Sequence, residues 1–533
     1  MVKQEIKKIV EKAITRLKKQ TGFERISTRD VLVEYPNERI RGDYSTNISF
    51  SIAKDLSKNP FEIATLLKTE IEKQKNSVIK KVEVVNGFVN FFVSEKYLQK
   101  KVLEILKQKE KFGNLKLKKV QKVNVEFISA NPTGPLTLGN GRGGFCGDVL
   151  ANVLLKSGYK VSREYYVNDT GEQIKKLGHS VIGDSEAVYK GEYIVDLRNK
   201  IKGDDPEGVG KKSAKMILDK MIKPSVKKMG IKFDKWFSEK DLYANKEVDK
   251  AIEELTKRGF TYKSEGALWF KSKDLGDDKD RVLIRTDGIK TYFASDIAYL
   301  KNKFKRGFKH LVIFLGADHY GYVARLKAAS HALGFGKDSI NAVVMQLVRL
   351  FENGKEVRMS KRTGIYVTID ELIDEVGLDV ARFFFLTRGS DTQFSFDLDV
   401  AKEKSEKNPV FKVQYAHARI CSLLKKADKT VNTKYLSLLQ DPAEIDLLTK
   451  LVKLPEIIED TARDYQLQRI PQYALELAEA FHKFYEKCRV VTEDKQVTLA
   501  RVALVRATKI VLKNTLDLMG VSAPLKMQRD EVK

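Results

Sequence analysis

The sequence is short of cysteine. Cys146, Cys421 and Cys488 are widely separated, and no two form a Cys-x-x-Cys pair. That spacing argues against a disulfide framework and a structural zinc site, and it fits a reducing cytoplasm. Long apolar runs are missing too: no stretch reaches 18 uninterrupted apolar residues, so no transmembrane helix is expected. The opening MVKQEIKKIVEKAITRLKKQ has no continuous apolar core and carries Glu5 and Glu11, unlike a secretory signal or transit peptide. Acid is scarce as well. Against 98 Lys+Arg stand 72 Asp+Glu, a net charge of +26, and this excess points to a polyanionic partner such as nucleic acid.

What is present reads as several domains, since 533 residues exceed one ordinary core. Residues 1–20 place Ile6, Ile9, Val10, Ala13, Ile14 and Leu17 on one helical face. The run 81–93 reads as a hairpin turning at Asn86-Gly87. Residues 1–120 hold 27 Lys+Arg and 15 Asp+Glu, so the basic excess is concentrated early. Lys107–Lys119, with Gly113, reads as a linker. Val123, Val125 and Phe127 then alternate with Asn124 and Glu126 as a half-buried strand. A turn-rich run from Ser129 to Asn140 follows, and a helix is expected from about Arg142.

A strand, a glycine-bearing loop and a helix can hold an anion on unpaired amides. Gly139, Gly141, Gly143 and Gly144 would let the backbone approach a nucleotide; close helix–strand packing is the other reading of the same glycines. Residues 161–167 read as a strand, and 181–230 as a charged helical insertion. Residues 282–284 and 291–293 read as short strands, with a helix over 296–304. The apolar Leu311–Leu315 suits a parallel strand buried on both faces, and the chain from Glu371 reads as helical almost throughout. Alternating strands and helices predict an α/β doubly wound sheet with its ligand site at the strands' carboxyl ends.

The Ser129–Asn140 run resembles the "HIGH" region of class I aminoacyl-tRNA synthetases, in the arginyl-tRNA synthetase form. Thr137-Leu138-Gly139-Asn140 stands where that family usually has His-x-Gly-His. The resemblance covers essentially the whole chain. It includes Gly42-Asp43-Tyr44-Ser45-Thr46-Asn47, Arg163–Asp169, Asp234–Glu239, Arg358-Met359-Ser360-Lys361 in place of Lys-Met-Ser-Lys, Asn408–Arg419 and Met519–Pro524. It implies a Rossmann-type catalytic domain over 118–400, with an insertion near 181–230. A small α+β domain over 1–112 and an all-α anticodon-binding bundle over 401–533 would flank it.

The resemblance also implies the chemistry: ATP activates L-arginine, and the arginyl group passes to tRNA(Arg). Thr137, Asn140 and Lys361 would be catalytic. Ala130, Asn131, Pro132, Thr133, Gly134 and Pro135, with Leu136, Leu138 and Gly139, would line ATP. Gly316, Asp318 and His319 would join them, as would Met359 and Ser360. Glu126, Asn131, Glu239, Tyr292 and Asp296 would bind arginine, and Tyr292 and Asp296 are spaced to share a helix face. Asp43, Tyr44 and Asn47 would touch tRNA from one end of the chain; Tyr415, His417 and Arg419 would touch it from the other. Mg2+ would accompany ATP, and the protein would act as a monomer in the cytoplasm. An RNA-binding paralogue without catalysis and a class I synthetase for another amino acid are the competing readings.

Overall fold

Ile6, Ile9, Val10, Ala13, Ile14 and Leu17 are all buried by the helix Val2–Thr21, as their spacing demands. The computed structural model describes residues 1–21, 31–36, 41–357, 367–427 and 432–527. Behind that helix lies an antiparallel sheet of β1 (Tyr44–Thr46), β2 (Ile79–Val85) and β3 (Phe88–Val93), in the order β1-β3-β2. Asn86 at φ 50° and Gly87 at φ 83° make the tight turn between β2 and β3. The stretch expected to be a linker is instead a packed joint. Phe112 is buried, and the Asn514 amide donates to the Lys109 and Phe112 carbonyls at 2.9 and 3.0 Å.

Next come β4 (Lys122–Glu126), β5 (Lys160–Val167) and β6 (Lys235–Ser238), then a small antiparallel sheet of β7 (Thr261–Ser264), β8 (Ala267–Phe270) and β9 (Arg281–Ile284). Strands β10 (His310–Gly316) and β11 (Ile340–Met345) complete the main sheet. Its order is β11-β10-β4-β5-β6, and every pairing is parallel. This is a doubly wound arrangement whose strand order reverses between β4 and β10. Leu311 to Phe314 are buried, as an apolar strand between two parallel neighbours requires. The helices Glu172–Ile182, Glu192–Lys200, Pro206–Ile217 and Lys223–Lys228 form the insertion between β5 and β6.

Three local expectations need correction. Residues 291–293 are no strand: Thr291 is the extended N-cap of the helix Tyr292–Lys305, and Tyr292 and Phe293 lie in its first turn. The chain after Glu371 is broken by β14 (Phe394–Asp397), which pairs in parallel with β12 (Val348–Glu352); β12 also pairs with β13 (Lys355–Val357). The helix after β4 starts at Leu138, not Arg142. Among the described residues, five α-helices then build the C-terminal part: Pro409–Lys426, Pro442–Leu451, Leu454–Asp464, Arg469–Lys487 and Lys495–Met519. The buried Arg382 ties this part to the helix Leu138–Lys156 and to the end of the insertion, donating to the carbonyls of Met229 and Met519 and to Asp148. No helix among the described residues is long and apolar enough to cross a membrane.

Candidate active site

The crevice at the β4/β10 switch point gathers most of the residues expected there. At the carboxyl end of β4, Ile128 and Ser129 adopt left-handed conformations, with φ 65° and 40°. For a β-branched residue this costs about 1–3 kcal/mol and is typical of functional sites. Two tyrosine hydroxyls fix the loop that follows: Tyr165 donates to the Ala130 carbonyl at 2.9 Å and Tyr193 to that of Thr133 at 3.0 Å.

Thr137 caps the helix Leu138–Lys156. Its amide and hydroxyl donate to Asn140 Oδ1 at 3.0 and 2.9 Å, and its Oγ1 accepts from the Asn140 amide at 3.5 Å. The Asn140 side-chain nitrogen has no partner among the described residues. The four glycines divide into two pairs. A Cβ at Gly141 would strike Ile369, and one at Gly144 would strike Met229 and Ile128, so these two serve helix packing. Gly143 faces open space, and a Cβ at Gly139 would meet only Thr137 Oγ1 at 3.8 Å. Pro132, Leu136 and Leu138 turn into the packing, while Asn131 and Gly139 are exposed. At the end of β10, Gly316, Asp318 and His319 are exposed. Met359, Ser360 and Lys361 lie outside the described residues. Thr368, on the C-terminal side of that stretch, pairs with Thr137, and the Ile369 amide donates to the Leu136 carbonyl at 3.0 Å.

Beside this loop the sheet edge is acidic. Glu126 ends β4, Glu239 follows β6 and is buried, and Asp296 lies in the second turn of the helix Tyr292–Lys305. Loss of surrounding water is the largest influence on Asp296, and the charges of Glu239 and Glu126 add to it. Together they push its carboxyl up to about 8. Burial also raises Glu239, helped by Asp169 and opposed by a 3.1 Å hydrogen bond from the Thr170 hydroxyl. The charges of Arg325 and Lys303 offset only part of the rise at Asp296, and Lys303 is itself paired with Glu126. Tyr322 donates its hydroxyl to Asp296. Tyr292 is exposed and reaches the start of the helix Glu172–Ile182, where its hydroxyl accepts from the Glu172 amide at 3.1 Å.

Two of the residues expected to touch tRNA are internal. Tyr44 is fully buried with its hydroxyl on Glu456, and His417 is 1% exposed with Nδ1 donating to the Pro524 carbonyl at 2.9 Å. Asp43 is half-buried and accepts from the Val93 amide at 2.9 Å, while Asn47 is exposed. Tyr415 and Arg419 are half-buried, and the Arg419 guanidinium lies 4.2 Å from the Tyr485 ring centre. Sequence reading missed Lys303, Ser129 and Tyr322 in the crevice. Helical spacing could have found Lys303, which lies seven residues after Asp296 on the same face. Among the described residues, no group of three or more His, Cys, Asp or Glu could hold a metal.

The parallel sheet, the capped helix after its central strand and the acids beside it define a class I tRNA synthetase catalytic domain. The family model for the class I (R) tRNA synthetase catalytic domain matches residues 101–180 and 184–387. The arginyl-tRNA synthetase N-terminal domain matches 3–93, and the DALR anticodon-binding domain matches 413–527. The chain is 44% identical to the arginine–tRNA ligase of Caldanaerobacter subterraneus subsp. tengcongensis, over 98% of this chain and 99% of that one. It is 43% identical to the arginine–tRNA ligase of Carboxydothermus hydrogenoformans, over 93% and 94%. The solved Thermus thermophilus arginyl-tRNA synthetase shares the fold, with a TM-score of 0.79 at 20% identity and coverage of 99% and 100%. The chain belongs to the arginyl-tRNA synthetase family.

Proposed function

We propose that this chain is an arginine–tRNA ligase. The carboxylate oxygen of L-arginine attacks the α-phosphorus of ATP, giving arginyl-adenylate and pyrophosphate. A 3'-terminal ribose hydroxyl of tRNA(Arg) then attacks the arginyl carbonyl, and AMP leaves. In-line displacement needs positioning and charge neutralisation rather than a covalent protein group.

The observation that carries the reading is the set of three carboxylates, Glu126, Glu239 and Asp296, beside the capped helix start. Asp296 and Glu239 face the guanidinium, a cation suited to carboxylate partners. Glu126 and Asn131 take the amino and carboxyl end, and Tyr292 closes over the side chain. The amides of the 137–143 segment, with Thr137 and Asn140, hold the ATP phosphates; Gly316, Asp318 and His319 approach its ribose. Lys361 neutralises the departing pyrophosphate. Magnesium arrives with ATP, and no protein ligand is assigned to it.

Residues 1–112 grip the outer corner of tRNA(Arg), 118–400 carry the chemistry and 401–533 bind the anticodon, with Tyr415 and Arg419 facing RNA. The enzyme works as a cytoplasmic monomer. Arginine-dependent ATP–pyrophosphate exchange, run with and without tRNA(Arg), tests the reading. Exchange with arginine and none with lysine or methionine is expected. Tight tRNA binding without exchange would make the chain an RNA-binding paralogue.

A further inference from the structure

Lys303 is a buried cation that the proposed mechanism leaves unused. Its side chain is 0% exposed, its ammonium pairs with Glu126 Oε2, and it lies 4.2 Å from the Tyr299 ring centre. The neighbouring charges are already matched. Arg306 Nη2 donates to Glu164 Oε1 at 2.7 Å, and Tyr299 donates to the same oxygen at 2.6 Å. Burial works to raise the Glu164 carboxyl, but Arg306 and the Lys303 charge hold it below its ordinary value. Glu126 is therefore the ion-pair partner of Lys303 among the described residues.

Taking both members of a pair out of water costs several kcal/mol each, and apolar side chains of like volume often serve stability as well. Position is what this pair contributes. Glu126 Oε1 takes only a 3.3 Å hydrogen bond from the Ser129 hydroxyl, which is long for an O–H donor. A carboxylate has about four acceptor sites, so Oε1 retains capacity. The site's charge is also sorted. Glu239 and Asp296 have no ion-pair partner among the described residues, whereas Glu126 has one.

We propose that Lys303 is a positioning residue for amino-acid recognition: by holding Glu126 Oε2 it leaves Oε1 for the substrate's α-ammonium group, and Glu239 and Asp296 for the guanidinium. The proposal rests on Glu126 being the ammonium acceptor named above. Its test compares L-arginine with argininic acid, which has a hydroxyl in place of the ammonium, in exchange assays on the full chain with tRNA(Arg). Lys303→Met keeps the stem and removes the charge. The arginine KM should rise about 10-fold or more, the scale of one charged hydrogen bond, while kcat and the ATP KM change little. Inhibition by argininic acid should hardly change, so the preference for arginine collapses.

Equal weakening of both ligands, or no change in either, would overturn the proposal. If Lys303→Met fails to fold, the double variant Lys303→Met, Glu126→Gln removes both charges. It should bind the two ligands with nearly equal affinity, and retention of the parental preference would count against the role. A parent without arginine-dependent exchange fails the functional reading instead, and calorimetric binding of the two ligands then gives the same ratio.

Discussion

Two sets of enclosed carboxyl groups stand in different parts of this molecule, and they are built differently. Glu456, where the N-terminal module meets the C-terminal helices, is 0% exposed and fully engaged. It accepts from the Lys3 amide at 2.7 Å and from the Tyr35 and Tyr44 hydroxyls at 2.8 and 3.0 Å. Burial raises its carboxyl, but those donors and the Lys3 charge oppose the shift. Asp296 takes one hydroxyl, that of Tyr322, and the charges of Glu239 and Glu126 add to its burial, so part of what raises Asp296 is its own kind. Burial of an acid therefore does not mark a site; burial beside other acids, as at Asp296, does. The first cluster is a closed joint, and the second is the one proposed above to take a guanidinium.

The largest test of that contrast is Asp296→Asn. Removing one partner of a desolvated charge pair costs about 2–5 kcal/mol of binding, so the arginine KM should rise about 30-fold or more with the ATP KM little altered. The same variant should melt higher than the parent at pH 8 without arginine, because it relieves repulsion. A lower melting temperature with an unchanged arginine KM would erase the difference between the clusters.

The next effect is in pH. Asp296 sits near 8 in the folded chain against an ordinary 3.8, so between those values the folded state holds a proton that the unfolded state has lost. Its contribution to stability is present at the acid end of that window and declines as pH rises towards 8. Guanidinium binding needs the ionised form and should run the other way. Between pH 6.5 and 8 the arginine KM should fall, by at most about 10-fold per pH unit, and Asp296→Asn should flatten that slope. A slope that survives the substitution would assign it to another group.

Glu456→Gln should have the smallest effect, and only on stability. One carboxamide oxygen cannot serve three donors, a loss of about 1–3 kcal/mol that calorimetry reads as a lower melting temperature. The arginine KM should not move. A changed KM would mean that the joint and the catalytic crevice are coupled.

Much of this was legible in the sequence because the signals were periodic. The apolar face of Val2–Thr21, the Asn86-Gly87 turn and the buried run of β10 each depend on local spacing that tertiary packing then respects. The start of the helix at Leu138 was hidden because glycines read as loop. Here Gly141, Gly144 and Gly147 make room for Ile369, Met229 with Ile128, and Phe127, a need visible only once those neighbours are in place. For β14 the signal was present: Phe394 and Phe396 alternate and are buried, inside a stretch whose helical neighbours masked the period. In the site, Glu126, Glu239 and Asp296 came from motif resemblance, and their proximity came from the fold. The burial of Tyr44 and His417 was not legible, because a polar side chain in a motif can serve an internal bond as well as a ligand.

The joint at Glu456 also sets an order of assembly. The Lys3 amide and its acceptor are 453 residues apart in the chain, and Gln4 donates to Glu459 across a similar span at 2.8 Å. A chain growing from its N-terminus completes its first module long before those acceptors have been synthesised. Until then the Tyr35 and Tyr44 hydroxyls lack the oxygen that both share in the finished protein. Contacts of such long sequence separation form late and slowly. The module made first is therefore latched last, after the helix Leu454–Asp464 has formed.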